Sequence, residues 1–501
     1  MSGICHLVGA GPGDPGLVTL KAQQCISEAD VLVYDALSST ELLTWTQPEC
    51  EKIDVGKRAA NHKMPQEQIN ALLVEKTKAG HRVVRLKGGD PMIFGRGGEE
   101  AAALAAENLA FEIVPGISSA FAGPTYAGIP LTHRDYGSTL TIFSGHEADD
   151  KSDHTVDYQA LAQAPGTKVF LMGVSRLRQN CEKLIAHGAA SDMPIALTRW
   201  ATTGRQRTIT GTLETIADIA EKENFKAPAV GVIGNIVREM ENIHWYEDRP
   251  LQGKRIVVTR SQEQAPALVK ELTALGADVL ELPVLRVVDP EDKRGFAESV
   301  ANVHTYKWLV FSSSNGVRRF FDAFYALYKD ARSLGGVSIA AVGPGTAAEV
   351  EKYRFAVDLV PEKHIAEGLV EAFKTDHDVD NETVLWVRPE NARPVITEGL
   401  NAQQAIVDEC IAYRIQPETD DPTGAAERFK EKGADLVTFT STSTARYFHD
   451  LDLPWPEDCQ AASIGPITTA KLNELGKTKV IEAEEHSIRG LVKAIVEAIG
   501  K

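Results

Sequence analysis

Through the first half of the chain, short apolar runs rich in β-branched residues alternate with longer stretches of helical period. The runs are ICHLVGA (4–10), ADVLVYD (29–35), HRVVRLKG (81–88), AFEIVPG (110–116), LTIFSG (140–145), KVFLMG (168–173), MPIALTRW (193–200) and APAVGVIG (227–234). Strands alternating with helices predict an α/β protein. The segment ENIHWYEDRPLQGKR (241–255) breaks the rhythm with two aromatics, a proline and a polar run, and a new strand, RIVVTR, follows. A domain boundary with a flexible connection is expected there.

The second half carries an internal duplication. FSSSNGVRRFFDAF from Phe311 reappears as FTSTSTARYFHDL from Phe439, and AVGPGTAAEV from Ala341 reappears as SIGPITTAKL from Ser463. Two similar lobes are expected. In each, a strand ends in a hydroxyl-rich turn that opens a helix, where backbone N–H groups are free for an anion. Helix capping alone is the competing account of these Ser and Thr residues.

The segment HRVVRLKGGDPMIFGRGGEE (81–100) places Gly88, Gly89, Gly95, Gly97 and Gly98 behind one apolar strand. Glycine tolerates positive φ and lets another group approach the main chain, so this loop reads as a ligand wall. Met92, Ile93 and Phe94 inside it argue against a merely solvated surface loop. Upstream, residues 9–16 (GAGPGDPG) fit G-x-G-x-x-G between a strand and a helix, with Asp35 ending the next strand. Pro12 and Pro15 remove amide donors that a pyrophosphate would need, which argues against a dinucleotide site.

Length and composition narrow the class. At 501 residues, with 43% hydrophobic and 25% charged positions, the chain is an ordinary globular protein of several structural units. Its six cysteines lack metal or disulfide spacing and are expected to be buried small hydrophobes in a reducing compartment. No leader-like or membrane-spanning run is evident, so a cytoplasmic protein is expected. A net charge of −17 disfavours nucleic acids and anionic membranes. A polyanionic substrate would need a local basic cluster, for which Lys57, Arg58, Lys63, Arg85, Lys87, Arg96 and Arg134 are the candidates.

The motifs VGAGPGDPGLVTLKA, YDALSS, VGKRAANH, VRLKGGDPMIFGRGGEEA, VPGISSAFAGPTYAGIPLTHR and FLMG resemble the tetrapyrrole methyltransferases, and among them the uroporphyrinogen-III C-methyltransferases. The resemblance covers residues 1 to about 245. It implies a two-lobed α/β fold, a homodimer through this half, and S-adenosylmethionine as methyl donor with S-adenosylhomocysteine as product. It implies donor contacts at Pro12, Gly88, Gly89, Asp90, Ile93, Ser118, Ser119, Met172 and Ala201. Ser118 and Ser119 stand where relatives often have Thr and Ala, and Ala201 where they commonly have Gly. Asp35 is implied as proton acceptor and Lys57 as proton donor, with mere substrate binding as the alternative; Arg58 would meet a substrate carboxylate.

PLQGKRIVVTR, LELPVLRVV, FSSSNGVRRFF, AVGPGTA, AEGL, the AYR of IAYRIQP, TFTSTSTARYF and SIGPITT resemble uroporphyrinogen-III synthases. That family implies two α/β lobes joined by a two-stranded hinge. Substrate would be held in a cleft by Ser312, Ser313, Asn315, Thr440, Ser441 and Ser463. Tyr413 would assist loss of the substrate hydroxyl, or alternatively pack at the hinge. The expected division is 1–245 methyltransferase, 246–252 linker and 253–501 synthase, with lobe one at 253–287 and 414–501 and lobe two at 288–413.

The expected activity is cyclisation of hydroxymethylbilane to uroporphyrinogen III and its methylation at C2 and C7 to precorrin-2, with no metal and with neither nucleic acid nor membrane as partner. A preceding dehydrogenase and ferrochelatase module is not expected, since the methyltransferase turn begins at residue 9. The alternatives are a methyltransferase of a later corrinoid, or an active methyltransferase with a non-catalytic, tetrapyrrole-binding C-terminal half.

Overall fold

The computed structural model describes residues 3–35, 40–56, 64–146, 156–421 and 423–501. They fall into two compact units, one of residues 1–259, 264–282 and 420–501 and the other of 260–263 and 283–419. The architecture is α/β, with four five-stranded sheets.

The first sheet runs in the order Glu51–Asp54, Val31–Tyr34, Arg82–Lys87, Ile4–Gly9, Ala110–Val114, and every neighbouring pair is parallel. Side chains alternate between its faces with period two. Cys5, Leu7, Val31, Val33 and Val83 share one core with Ala101 and Leu104, while Val8, Leu32, Val84 and Leu86 join a second core with Ala22 and Ile26. Burial on both faces explains why these strands read as continuous apolar runs.

The order also positions function. Ile4–Gly9 lies between Arg82–Lys87 and Ala110–Val114, so the loops leaving the carboxyl ends of all three strands emerge side by side. Open α/β sheets bind ligands at such ends. The second sheet, in the order Leu140–Ser144, Thr167–Leu171, Ala229–Ile233, Pro194–Arg199, Arg207–Thr212, is parallel only in its first pair.

The duplicated segments fold alike. In one unit, strands Leu436–Phe439 and Gln460–Ser463 pair in parallel and lead into helices Thr442–Asp450 and Pro466–Glu474. They belong to a five-stranded parallel sheet with Asp278–Glu281, Arg255–Val258 and Val480–Glu482. In the other, Trp308–Phe311 and Ser338–Ala341 pair in parallel and lead into Ser314–Leu327 and Pro344–Lys352. The strands within LELPVLRVV and IAYRIQP, where the synthase resemblance puts the hinge, are Leu285–Val288 and Ile406–Pro417, and they pair antiparallel at the edge of this second unit's own sheet.

Residues 246–252 are not the flexible tether that their polar sequence suggests. Tyr246, Leu251 and Gln252 are buried. The Tyr246 ring lies edge-on to Tyr126 at 4.6 Å, and the Arg249 guanidinium stacks over Tyr246 at 3.6 Å. Gln252 Nε2 donates to the carbonyls of Gly204 and Gln206 at 3.2 Å, and Gly253 N donates to Gly204 O at 2.9 Å. Within this unit, then, the second half is joined to the first by satisfied buried polar groups.

A Cβ built on Gly9 would lie 2.6 Å from the Gly116 Cα and 2.7 Å from the Gly89 carbonyl oxygen, and one on Gly116 would run into Gly89 O. A Cβ on Gly98 would meet nothing within 4 Å. Gly116→Ala is therefore expected to lower stability by about 1–3 kcal/mol through overpacking. Gly98→Ala, in the helix Gly97–Ala106, is expected to be neutral or stabilising by up to about 1 kcal/mol. Urea unfolding of the two variants beside the parent chain checks the contrast.

Candidate active site

The glycine-rich loops meet where the first sheet directs them. Gly11 N donates to Gly89 O at 3.2 Å and Gly89 N to Gly11 O at 2.7 Å, tying the turn after the first strand to the GGDP turn. Gly89 has φ 71°, a conformation that a side chain would resist. Asp90 clamps the arrangement: its carboxylate accepts from Gly116 N at 3.0 Å and from Met92 N at 2.8 Å. Asp90 thus organises the loops, while Met92, Ile93 and Phe94 stay exposed on the segment that follows.

The turn at 10–16 does not run straight into a helix. Asp14 caps a short turn, Pro15–Leu17, and a separate helix, Leu20–Ser27, is capped by Thr19. No helix N-terminus sits behind the glycines, which agrees with rejecting a dinucleotide site. Instead Asp14 N donates to Thr202 Oγ1 at 3.1 Å, and a Cβ on Gly13 would touch the Thr203 side chain. The loop after Pro194–Arg199, carrying Ala201, is thereby brought against the loop carrying Pro12.

Backbone strain marks the same place. Apart from Asn and Asp, which adopt it readily, the non-glycine residues at positive φ among the described residues are Phe94, Arg96, Met172, Trp200, Thr202, Arg354 and Gln404. Phe94, Arg96, Trp200 and Thr202 lie in these loops, and Met172 follows the strand Thr167–Leu171. Met172, at φ 60°, is half exposed. Ser118 is buried and caps the helix that begins at Ser119, accepting from Ala120 N at 3.3 Å, so its hydroxyl serves the fold. Ala201 is buried, as a residue offering only its backbone would be.

Asp35 follows the strand Val31–Tyr34, and its Oδ2 lies 3.5 Å from Arg85 Nη2. Lys57, Arg58 and Lys63 lie outside the described residues. Arg85 and Lys87 are not the open carboxylate binders expected from the motif. Both are buried, and both bond to Oε1 of Glu100, at 3.2 Å from Arg85 Nε and 2.7 Å from Lys87 Nζ. Burial, with the Arg85 guanidinium beside it, holds the Lys87 ammonium below the ordinary lysine range. Glu100 was overlooked, although its signal was present: Gly97, Glu100, Ala101 and Leu104 form one buried helical stripe, facing the odd-numbered side of the strand that carries Arg85 and Lys87.

In the unit of residues 283–419, Ser313 caps the helix Ser314–Leu327 through Gly316 N at 3.1 Å, and its Oγ lies 2.9 Å from the Tyr413 hydroxyl. Ser312 Oγ donates to Val387 O at 3.4 Å, and Asn315 lies in the first turn of the same helix. Burial pushes the Tyr413 phenol above its ordinary range. In the other unit, Thr440 precedes Ser441, which caps Thr442–Asp450 in a reciprocal box with Thr444. Ser463 must be withdrawn as a substrate contact: it is wholly buried and bonds to Thr469.

The profile of the tetrapyrrole (corrin/porphyrin) methylases matches residues 5–217, and that of uroporphyrinogen-III synthase HemD matches residues 266–493. A porphyrin biosynthesis protein HemD from Ruminiclostridium josui is 35% identical over 504 residues, covering 99% of this chain and 98% of that one. The chain belongs to this fused family. It joins a tetrapyrrole methylase to a uroporphyrinogen-III synthase and is a bifunctional enzyme of tetrapyrrole biosynthesis. A uroporphyrinogen-III C-methyltransferase from Bacillus subtilis (strain 168) is 40% identical over 359 residues, 72% of this chain and 73% of that one. An S-adenosyl-L-methionine-dependent uroporphyrinogen III methyltransferase from Methanosarcina barkeri is 51% identical over 235 residues, 47% of this chain and 92% of that one.

In the synthase half, Tyr413→Phe removes a hydroxyl bonded to Ser313 and is expected to cost about 1 kcal/mol at pH 8. The raised folded-state value of the phenol means that its contribution holds below the ordinary tyrosine value near 10 and is lost as pH rises through the folded value. The deficit of the variant should therefore shrink between pH 8 and 10.5. Denaturant midpoints at both pH values check it.

Proposed function

We propose that this chain cyclises hydroxymethylbilane to uroporphyrinogen III and methylates the product at C2 and C7, giving precorrin-2 for the branch toward sirohaem and cobalamin. The observation that carries the reading is the full-length relationship to a fused porphyrin biosynthesis protein, joined to three loops converging at the carboxyl ends of adjacent strands.

The methyl donor in this reading is S-adenosylmethionine, whose sulfonium supplies an electrophilic methyl group. The residues present fit it. Gly89 has no close contact where a side chain would stand, Gly88 and Pro12 are half-buried, Ile93 offers an exposed apolar surface, Ala201 stands on the loop bonded to the turn of Pro12, and Met172 is half exposed at positive φ after the strand Thr167–Leu171. Ser118 and Ser119 begin a helix at the same edge. Because the donor is already activated, rate comes mainly from aligning the pyrrole carbon with the methyl and excluding water. The methylated carbon becomes quaternary and has no hydrogen to lose, so the cationic ring is neutralised by loss of a proton from another position of the macrocycle, which Asp35 accepts, with Lys57 as donor and Arg58 as a carboxylate contact.

In the synthase half, Tyr413 assists departure of water from the hydroxymethyl group. Its raised value keeps it protonated at neutral pH, as a hydrogen-bond donor must be. Ser312, Ser313 and Asn315, and separately Thr440 and Ser441, are the residues this reading assigns to substrate binding. The methyltransferase half dimerises. Among the described residues no helix is long and apolar enough to cross a membrane.

The test incubates the purified chain with hydroxymethylbilane, with and without S-adenosylmethionine, and resolves the oxidised products by isomer-selective chromatography. Type III uroporphyrin without donor and a dimethylated product with it are expected. Only the spontaneous type I ring would make the C-terminal half a binding module. Type III ring with no dimethylated product would favour a later corrinoid as methyl acceptor. Tyr413→Phe and Thr440→Val are each expected to slow type III formation at least tenfold.

A further inference from the structure

Glu100 is wholly buried, yet its two carboxylate oxygens are treated unequally. Oε1 accepts from Arg85 Nε at 3.2 Å, Lys87 Nζ at 2.7 Å and Gln66 Nε2 at 3.1 Å. Oε2 is buried with no hydrogen-bond partner among the described residues. A buried carboxylate with a bare oxygen costs stability, and buried ion clusters can often be replaced by apolar side chains without loss. Packing alone gives no reason to keep this one.

The geometry of Arg85 gives a reason. Its guanidinium is held on two edges, at Nε by Glu100 and at Nη1 by the Leu86 carbonyl at 3.1 Å. The remaining nitrogen, Nη2, lies 3.5 Å from Asp35 Oδ2. Asp35 is partly open to solvent, whereas Arg85 and Glu100 are closed off. The order from interior to surface is therefore Glu100, Arg85, Asp35.

We propose that Glu100 is a positioning residue of the methyltransferase: it fixes Arg85 in the orientation that holds the Asp35 carboxylate, and with Lys87 it sets the charge that Asp35 experiences. The inference rests on the reading of Asp35 as proton acceptor. The charged and titratable groups facing this cluster are Arg85 and Lys87 from the strand Arg82–Lys87, Cys5 from Ile4–Gly9, Arg96 and Glu99 beside the helix Gly97–Ala106, and Asp35 itself. Burial, and next the Glu100 charge, push the Cys5 thiol up to about 12, so it stays neutral. Arg96 is drawn off by Glu99 at 2.6 Å. Among the described residues that sets two cations, Arg85 and Lys87, beside two anions, Glu100 and Asp35.

Changing that balance acts on methylation in opposite directions. Glu100→Gln keeps the shape and removes a negative charge, leaving the two cations with less compensation, so the acid limb of methylation moves down. Lys87→Met removes a positive charge, so the limb moves up.

The experiment measures kcat and KM for methylation of uroporphyrinogen III against pH for the full-length parent, Glu100→Gln, Lys87→Met and Asp35→Asn. Binding of S-adenosylhomocysteine and type III ring formation by the same chains report folding. Expected are an acid limb lowered by roughly one unit in Glu100→Gln and raised by roughly one unit in Lys87→Met. In Glu100→Gln, kcat should fall about tenfold with KM nearly unchanged. Asp35→Asn should lose the limb. Unshifted limbs in both charge variants, with Asp35→Asn losing it, would overturn the role of Glu100 alone; a limb that survives Asp35→Asn would overturn the reading of Asp35 and the inference with it. Should Glu100→Gln fail to fold, the direction of the shift in Lys87→Met decides.

Discussion

Three stretches of main chain, at Gly9, Gly89 and Gly116, come together at the carboxyl ends of neighbouring parallel strands so closely that Gly9 and Gly116 have no room for a side chain, while Gly89 is held at positive φ. The contact depends on the strand order, which puts Ile4–Gly9 between its two partners. The glycine-rich loops of the methyltransferase half hang from it. The Gly11–Gly89 bonds set the height of the two turns, and the Asp90 carboxylate pins the third loop to them. The Asp14–Thr202 bond then carries the constraint to the second sheet. The strained residues Phe94, Met172, Trp200 and Thr202 are tolerable because the loops holding them are fixed at both ends.

This constraint explains what was legible in the sequence. The glycines at 88, 89, 95, 97 and 98 announced a backbone that something must approach, and the short apolar β-branched runs announced the strands that deliver it. The duplication at Phe311 and Phe439 was readable because each copy repeats a whole strand, turn and helix. What could not be read were long-range partners. Nothing local to Thr202 says that its hydroxyl meets Asp14, and nothing in VRLKGG says that its two cations turn inward. Basic residues in a glycine-rich motif look like ligand contacts. Arg85 and Lys87 are instead on the side of their strand that the helix Gly97–Ala106 covers, a fact fixed only once strand phase and helix phase are put together.

The junction was misjudged for a related reason. Residues 246–252 read as a linker because they are polar and contain proline. Polarity of sequence does not imply exposure, since buried polar groups are stable wherever every donor finds an acceptor. Gln252 finds two carbonyls of the turn at 204–206, and Arg249 finds the Tyr246 ring and Gln252 Oε1. Seven residues that look like slack chain are part of the packing.

The same logic of satisfaction separates the two kinds of polar residue in this molecule. Ser118, Ser313, Ser441 and Ser463 all fell within motifs that suggested ligand contact. For each the structure supplies an internal partner: an amide at a helix start for the first three and the Thr469 hydroxyl for the last. A hydroxyl that caps a helix can still present its second lone pair, so Ser313 and Ser441, both partly exposed, remain able to serve a substrate, while Ser463, wholly enclosed, is not. Glu100 is the reverse case. Among the described residues one of its oxygens is satisfied three times over and the other has no partner, an imbalance that fold stability alone would not retain, and it stands one guanidinium away from the partly exposed Asp35 carboxylate.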